Sequence, residues 1–367
     1  MSVNQGIDIQ TLQTEVVQAA RTKYAKDYRE TQGYRKLPLH RLILDRAITE
    51  SEEHGFQWTL RIKQAQGSTQ MVDAFEKLQY QRDDYGVQLK ATPRTIVSHK
   101  NIVIDKLAEW ISKGAKDKIY DAYKMMGSAA EEELATILES KLTNAPYTAS
   151  AKDGILGLLY HARRSMTSGG VFVAQTTPAR NGVYYRDGSG AVAADMYTVA
   201  DISAAAYARL RTLVATHGGV MNDTLLTTVY ECIKQGRFEY IKMLEGDKST
   251  VDYVLLWDDV FDSAYDQVCT ALGGPRKRDY FETGETTVKG VTTMAVPYWN
   301  GHFLRPIIGV NLAELKFRKS PNNWGKQYME QVTHRSSAFP VEWTGQLWGE
   351  NPQSSVFMVH GSFTTGT

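Results

Sequence analysis

The residues in this 367-residue chain that could do chemistry are few, and their spacing limits what that chemistry would be. Gly188, Ser189, Gly190 and Ala193 match the looser form of a dinucleotide fingerprint, in which glycines let the backbone approach a pyrophosphate at a helix start. That motif needs a buried strand before it and a helix opening on it. Tyr185-Arg186-Asp187 is polar and Met196-Tyr197-Thr198-Val199 is strand-like, so a plain turn is the favoured reading. Asp258, Asp262 and Asp266 fall at i, i+4 and i+8 and would line one helix face, where they could collect a hard cation. With Asp259 beside them near a helix start, a solvated acidic face that complements the macrodipole is preferred.

Other candidates fail on geometry. Glu131-Glu132-Glu133 would point in three directions from a helix and cannot form one catalytic pair; it reads as a solvent or inter-subunit face. His40, His54, His99, His161, His217, His302, His334 and His360 are scattered without HxH or HExxH spacing. No GxSxG elbow and no GxxxxGK[ST] loop occurs, and Gly246-Asp247-Lys248-Ser249 lacks the leading glycine. The basic string Arg276-Lys277-Arg278 follows Gly273-Gly274-Pro275 and reads as an exposed loop that could meet nucleic acid or an acidic neighbour. No catalytic, metal-ligating or cofactor-binding residue is therefore expected, and the chain does not read as an enzyme. The rival reading, a soluble α+β nucleotide-binding enzyme, rests on the Gly188 loop.

Composition narrows the classes further. Lys and Arg total 42 against 41 for Asp and Glu, so no polybasic field advertises tight nucleic-acid binding. Two cysteines, Cys232 and Cys269, exclude a disulfide scaffold and any CxxC site, and intracellular assembly is the simple reading. The N-terminus has no cationic flank followed by an apolar run, and no apolar segment approaches membrane-spanning length. Neither secretion nor membrane contact is expected.

With little chemistry to position, the elements themselves become the informative part. Phe56, Trp58, Leu60 and Ile62 alternate with Gln57, Thr59, Arg61 and Lys63, the pattern of a half-buried strand. Tyr85, Val87, Leu89 and Ala91 repeat the pattern, and Pro93 closes it. Paired, the arms form a hairpin of about twenty residues a side, which could reach about 60 Å. A monomer has little use for so long a projection, so its apolar stripe is expected to lie on a neighbouring subunit. A short helix is predicted over 102–111. Residues 116–143 follow as the longest helix, about 42 Å long, with Ile119, Tyr123, Met126, Ala130, Leu134, Ile137, Leu138 and Leu142 on one stripe and Asn144 and Pro146 as stops.

The central region, about 150–285, mixes glycine-rich turns with three helical patterns. Asp201 or Ser203 can cap a helix carrying Tyr207, Leu210, Leu213 and Val214 that ends at Gly218-Gly219. Asn222 or Asp223 opens a second that closes at Gly236, and a third runs from about Asp258 to Leu272. The last 80 or so residues are strand-like over 287–296, 307–312, 328–334, 341–348 and 356–360. Helices early and strands late imply an α+β protein whose sheet gathers distant segments. Residues 1–45 carry Leu12, Val16, Val17 and Ala20 at helical spacing, too little for a core, and read as an arm.

This order of parts resembles the major capsid protein of tailed phages, the Hong Kong 97-like fold. Val288-Lys289-Gly290-Val291 before Pro297 is similar to the strand leaving that family's axial (A) domain. Ile308-Gly309-Val310-Asn311-Leu312 with Leu315-Lys316-Phe317 is similar to its return into the peripheral (P) domain, and Val356-Phe357-Met358-Val359 to its closing strand. The resemblance implies an N-terminal arm over 1–54, an E-loop hairpin over 55–94, a P domain over 95–170 with the spine helix 116–143, a mainly A domain over 171–300, and return strands over 301–367.

Its functional implication is a structural protein of the virion that self-assembles into hexamers and pentamers of an icosahedral shell around double-stranded DNA, after assembly in the host cytoplasm. The shell would contact DNA weakly and meet separate scaffolding, portal and decoration proteins. Relatives that carry their own scaffold have about a hundred further residues before the arm, so a separate scaffold or none is expected here. Some relatives crosslink an E-loop lysine to a neighbour's asparagine; Lys63, Lys77 and Lys90 lie in the hairpin, but nothing selects a reacting asparagine, and no crosslink is predicted. Inter-subunit contacts are expected at Phe56, Trp58, Leu60, Ile62, Tyr85, Val87 and Leu89, with Arg276, Lys277 and Arg278 as a lumen or interface loop. An encapsulin-type cellular compartment of similar fold is the alternative.

Overall fold

Strands buried on both faces need apolar residues at every position, and three runs meet that demand: Tyr253-Val254-Leu255-Leu256-Trp257, Ile307-Ile308-Gly309-Val310 and Val356-Phe357-Met358-Val359. They sit side by side at the centre of a seven-stranded mixed sheet. The computed structural model describes residues 37–50, 56–61, 86–103, 116–144, 154–164, 174–182, 198–199, 202–203, 210–236, 253–271, 286–288, 291–302, 304–328, 330–333, 336–349 and 351–361. The strands are β1 Ile48–Thr49, β2 Phe56–Arg61, β3 Gly86–Ala91, β4 Arg94–Val103, β5 Ala179–Gly182, β6 Thr198–Val199, β7 Ile202–Ser203, β8 Thr212–His217, β9 Tyr253–Trp257, β10 Thr286–Val288, β11 Val291–Ala295, β12 Ile307–Asn311, β13 Leu315–Gln327, β14 Glu330–Thr333, β15 Ser336–Gly349 and β16 Val356–Gly361.

The larger sheet has the order β10-β11-β9-β12-β16-β8-β5. Its pleat separates two cores among the described residues. Tyr253, Leu255, Trp257, Phe357 and Val359 point to one side, where helices Asp223–Gly236 and Asp259–Ala271 bury Leu225, Val229, Cys232, Ile233 and Phe261. Val254, Leu256, Ile308, Val310, Val356 and Met358 point to the other, into a core shared with the long helix Lys116–Thr143. Ala130, Leu134, Leu138 and Leu142 of that helix are at most 1% exposed. Burying each leucine contributes about 1.5–3 kcal/mol.

The second sheet, β1-β13-β15-β14 with β4 on the other side of β15, lies against the long helix. β15 is its axis. Ten register pairs, Ser336↔Val103 through Gly345↔Arg94, join β15 to β4, and β13 pairs the opposite edge from Leu315↔Gly349 to Gln327↔Val341. Strands of the C-terminal region thus divide between the two sheets. No helix among the described residues is long and apolar enough to cross a membrane.

Several predicted elements stand as read. The long helix covers Lys116–Thr143, and the helix predicted to close at Gly236 opens on Asn222, whose Oδ1 accepts the Leu225 N–H at 2.8 Å. Others change. The helix predicted to carry Leu213 and Val214 is the buried strand β8, because β-branched Thr212, Val214 and Thr216 and burial on both faces favour extended backbone. Ile102 and Val103, assigned to a helix, end β4, which resumes directly after Pro93. The stretch predicted as one strand over 287–296 is the hairpin β10–β11. β9 and most of β13 were not predicted as strands.

Candidate assembly surfaces

The alternation of Phe56, Trp58 and Leu60 against Val87, Leu89 and Ala91 resolves into a two-stranded antiparallel ribbon. Its register sets Phe56 opposite Ala91, Trp58 opposite Leu89 and Leu60 opposite Val87, so the apolar positions of both strands coincide pair by pair. Ile62 and Tyr85, the next pair of the expected stripe, lie outside the described residues, as do 62–85 generally. Residues 1–36, the Gly188 loop, Gly246–Ser249 and Arg276, Lys277 and Arg278 also lie outside them.

The chain described on either side of the ribbon is anchored in the five-stranded sheet. On one side, Gln346 of β15, 2% exposed, donates from Nε2 to the Thr92 carbonyl at 3.1 Å and accepts the Leu156 N–H on Oε1 at 2.8 Å. Beside that contact, the Thr95 and Thr344 hydroxyls share a hydrogen bond of 2.8 Å. On the other side, β1 pairs in parallel with β13, the Glu50 N–H donates to the Lys319 carbonyl at 3.1 Å, and the Glu50 carboxylate pairs with Arg318. None of these anchors was among the residues singled out from sequence.

β4 carries the surface next to this root. Thr95, Val97, His99 and Asn101 are exposed, with Val97 at 45%. The intervening positions turn to the long helix, where Glu133 accepts from Lys100 Nζ at 2.6 Å and Ser98 Oγ at 2.7 Å. Those hydrogen bonds, that from Lys100 first, hold the Glu133 carboxyl below its usual range. One member of the Glu131–Glu133 run therefore fastens the helix to the sheet.

A second structured end lies at the edge of the larger sheet where β8 and β9 finish and β12 begins. Arg305, at φ +41, is over-determined by its contacts: Nη1 donates to the Gly219 carbonyl at 3.0 Å, Nε lies 3.5 Å from Asp258 Oδ2, and Cζ stands 4.9 Å from the Phe261 ring centre. His217 Nδ1 accepts the Gly219 N–H at 2.8 Å, so Nε2 carries the proton and donates to the Arg305 carbonyl at 3.0 Å. Burial pushes the His217 pKa down.

The predicted row of aspartates breaks up here. Asp258 is fully buried and caps its helix by accepting the Phe261 N–H at 2.7 Å, while Asp262 accepts the Trp257 indole N–H at 2.9 Å. It is a cap and an anchor, not a solvated face, because Asp258 precedes the first helical residue and turns inward. Val220 and Val260 flank this end at 67% and 50% exposed. Among the described residues no group of His, Cys, Asp or Glu could hold a metal ion.

No protein-family model matches the chain, and no curated protein matches it in sequence. Solved structures do match. A chain of the capsid asymmetric unit of cyanophage A-1(L) superposes with a TM-score of 0.55 at 15% identity, covering 88% of this chain and 92% of that one. The capsid of Myoviridae phage XM1 gives a TM-score of 0.43 at 10% identity, covering 87% and 90%. The holo-SrpI encapsulin complex of Synechococcus elongatus gives 0.45 at 12%, covering 92% and 91%. The chain is a mixed α+β protein that shares its fold with the cyanophage A-1(L) capsid chain.

Proposed function

We propose that this chain is the major capsid protein of a tailed phage: a structural subunit, not an enzyme, that self-assembles into the icosahedral shell of the virion around double-stranded DNA. The observation that carries the reading is a fold held in common with the cyanophage A-1(L) capsid chain over nearly the whole of both chains. In this reading the ribbon β2–β3 is the base of the E-loop, the long helix is the spine of the P domain, and the helices flanking the larger sheet belong to the A domain.

Assembly follows from geometry and not from turnover. The apolar register of Phe56, Trp58, Leu60, Val87 and Leu89, continued by Ile62 and Tyr85, lies across an adjacent subunit. Loops of the A domain, Arg276, Lys277 and Arg278 among them, meet around the symmetry axes or face the lumen. Heterologous contacts of this kind close into rings and shells when the angles permit. A net charge of +1 suits a container that must not grip its DNA everywhere.

The test is Trp58→Asp. Folded subunits that no longer form particles in electron micrographs are the expected result, and normal particles would overturn the role of the ribbon. The contents of wild-type particles test the rest: DNA supports a phage shell, and a packaged enzyme without a genome refutes it in favour of an encapsulin-type compartment.

A further inference from the structure

The short helix Pro38–Leu44 begins at Leu37, whose side chain cannot accept the hydrogen bonds that a helix N-terminus leaves open. Glu139 of the long helix does so instead. Its carboxyl accepts the N–H of Leu39, 100 residues away, at 3.0 Å and that of His40 at 2.5 Å. The carboxyl is 0% exposed, in a core that also holds Leu39, Ile43, Leu138, Leu142 and Trp343. No cation among the described residues pairs with it.

The titratable groups facing it do not compensate. His40, from the short helix, stacks on Trp343 at 5.7 Å between ring centres, and burial holds its pKa at about 4, so it is neutral near pH 7. Tyr298, from the turn Pro297–Trp299, is a neutral phenol whose pKa is raised first by burial and then by the charge of Glu139. Arg41 and Asp45 lie on the outer side of the short helix, about 60% exposed and 4.0 Å apart.

We propose that Glu139 is a proton-controlled clasp: proton uptake tightens the docking of Pro38–Leu44 on the long helix, and proton release loosens it. When the short helix lifts away, the carboxylate regains water; when it docks, two N–H groups replace a full hydration shell around the charge. Burial wins over those two hydrogen bonds and lifts the Glu139 pKa from 4.5 to about 7. The docked state therefore holds the proton more tightly than the undocked one. Docking is favoured below pH 7 and weakens as pH rises through it. This goes beyond the capsid reading and stands on the fold alone.

Hydrogen exchange of the full chain between pH 5.5 and 8.5, expressed as protection relative to the unstructured rate at each pH, tests it. Protection at Leu39 and His40 should fall about tenfold from pH 6 to pH 8, while the helix Asp223–Gly236 keeps its own. Glu139→Gln should make protection at both amides independent of pH. His40→Phe should leave the midpoint where it is, which excludes the imidazole as the source. Flat wild-type protection across the range, or a pH dependence that survives Glu139→Gln, would overturn the proposal.

Discussion

The Trp299 indole donates to the Thr143 carbonyl at 3.0 Å, which places a fully buried ring on one of the last open acceptors of the long helix. The pair joins the turn after β11 to the end of the helix across 156 residues of sequence. Trp299→Phe keeps most of the apolar volume but leaves that carbonyl unsatisfied beside a small void. A loss of about 2–3 kcal/mol is expected in urea unfolding of soluble subunits.

Asp258→Ala removes a helix cap and the partner of Arg305 together. Because Arg305 is 31% exposed, water takes up part of its charge, and the expected cost is about 2–4 kcal/mol, below that of a fully buried pair. Asp258→Asn retains an accepting oxygen for Phe261 and should cost less. Equal losses in the two variants, read by thermal unfolding, would show that the cap is worth little.

Gly309 pairs with Phe357 across β12 and β16, and a Cβ at that position would overlap the Phe357 ring. Glycine is required by this close approach and not by its backbone angles. Gly309→Ala should destabilise by about 2–3 kcal/mol. Combining it with Phe357→Leu should cost less than the two single changes added, since the smaller side chain makes room.

His360 is fully buried, with a pKa that burial lowers to about 3, and burial depresses His217 as well. Both bind a proton more readily in the unfolded chain. Their contribution is complete above pH 6.5 and is lost as pH falls toward the folded values, at about 1.4 kcal/mol per pH unit for each group that stays neutral. Glu139 acts in the opposite sense between pH 7 and 4.5. Urea midpoints measured from pH 7 to 4 should fall in the wild type and fall less steeply in His360→Gln.

The long helix was legible because an apolar stripe persists from Met126 to Leu142 and ends at Asn144. The ribbon was legible because Phe56–Arg61 alternates strictly. β8 and β9 were not, since strands buried on both faces lose the alternation that marks a strand and resemble helix cores. Gln346, Glu139 and Arg305 were invisible for another reason. Their partners Thr92, Leu39 and His217 lie 254, 100 and 88 residues away, and no local pattern marks such a meeting.

The rooting of the ribbon has a mechanical consequence. β3 passes through Thr92 and Pro93 into β4, so tension drawn through the ribbon enters β4 at its end, and its component along that strand acts on ten register pairs with β15. A pull in that direction loads those pairs together in shear instead of peeling them one at a time. The ribbon is thus the handle of a tool whose tang runs the length of the sheet.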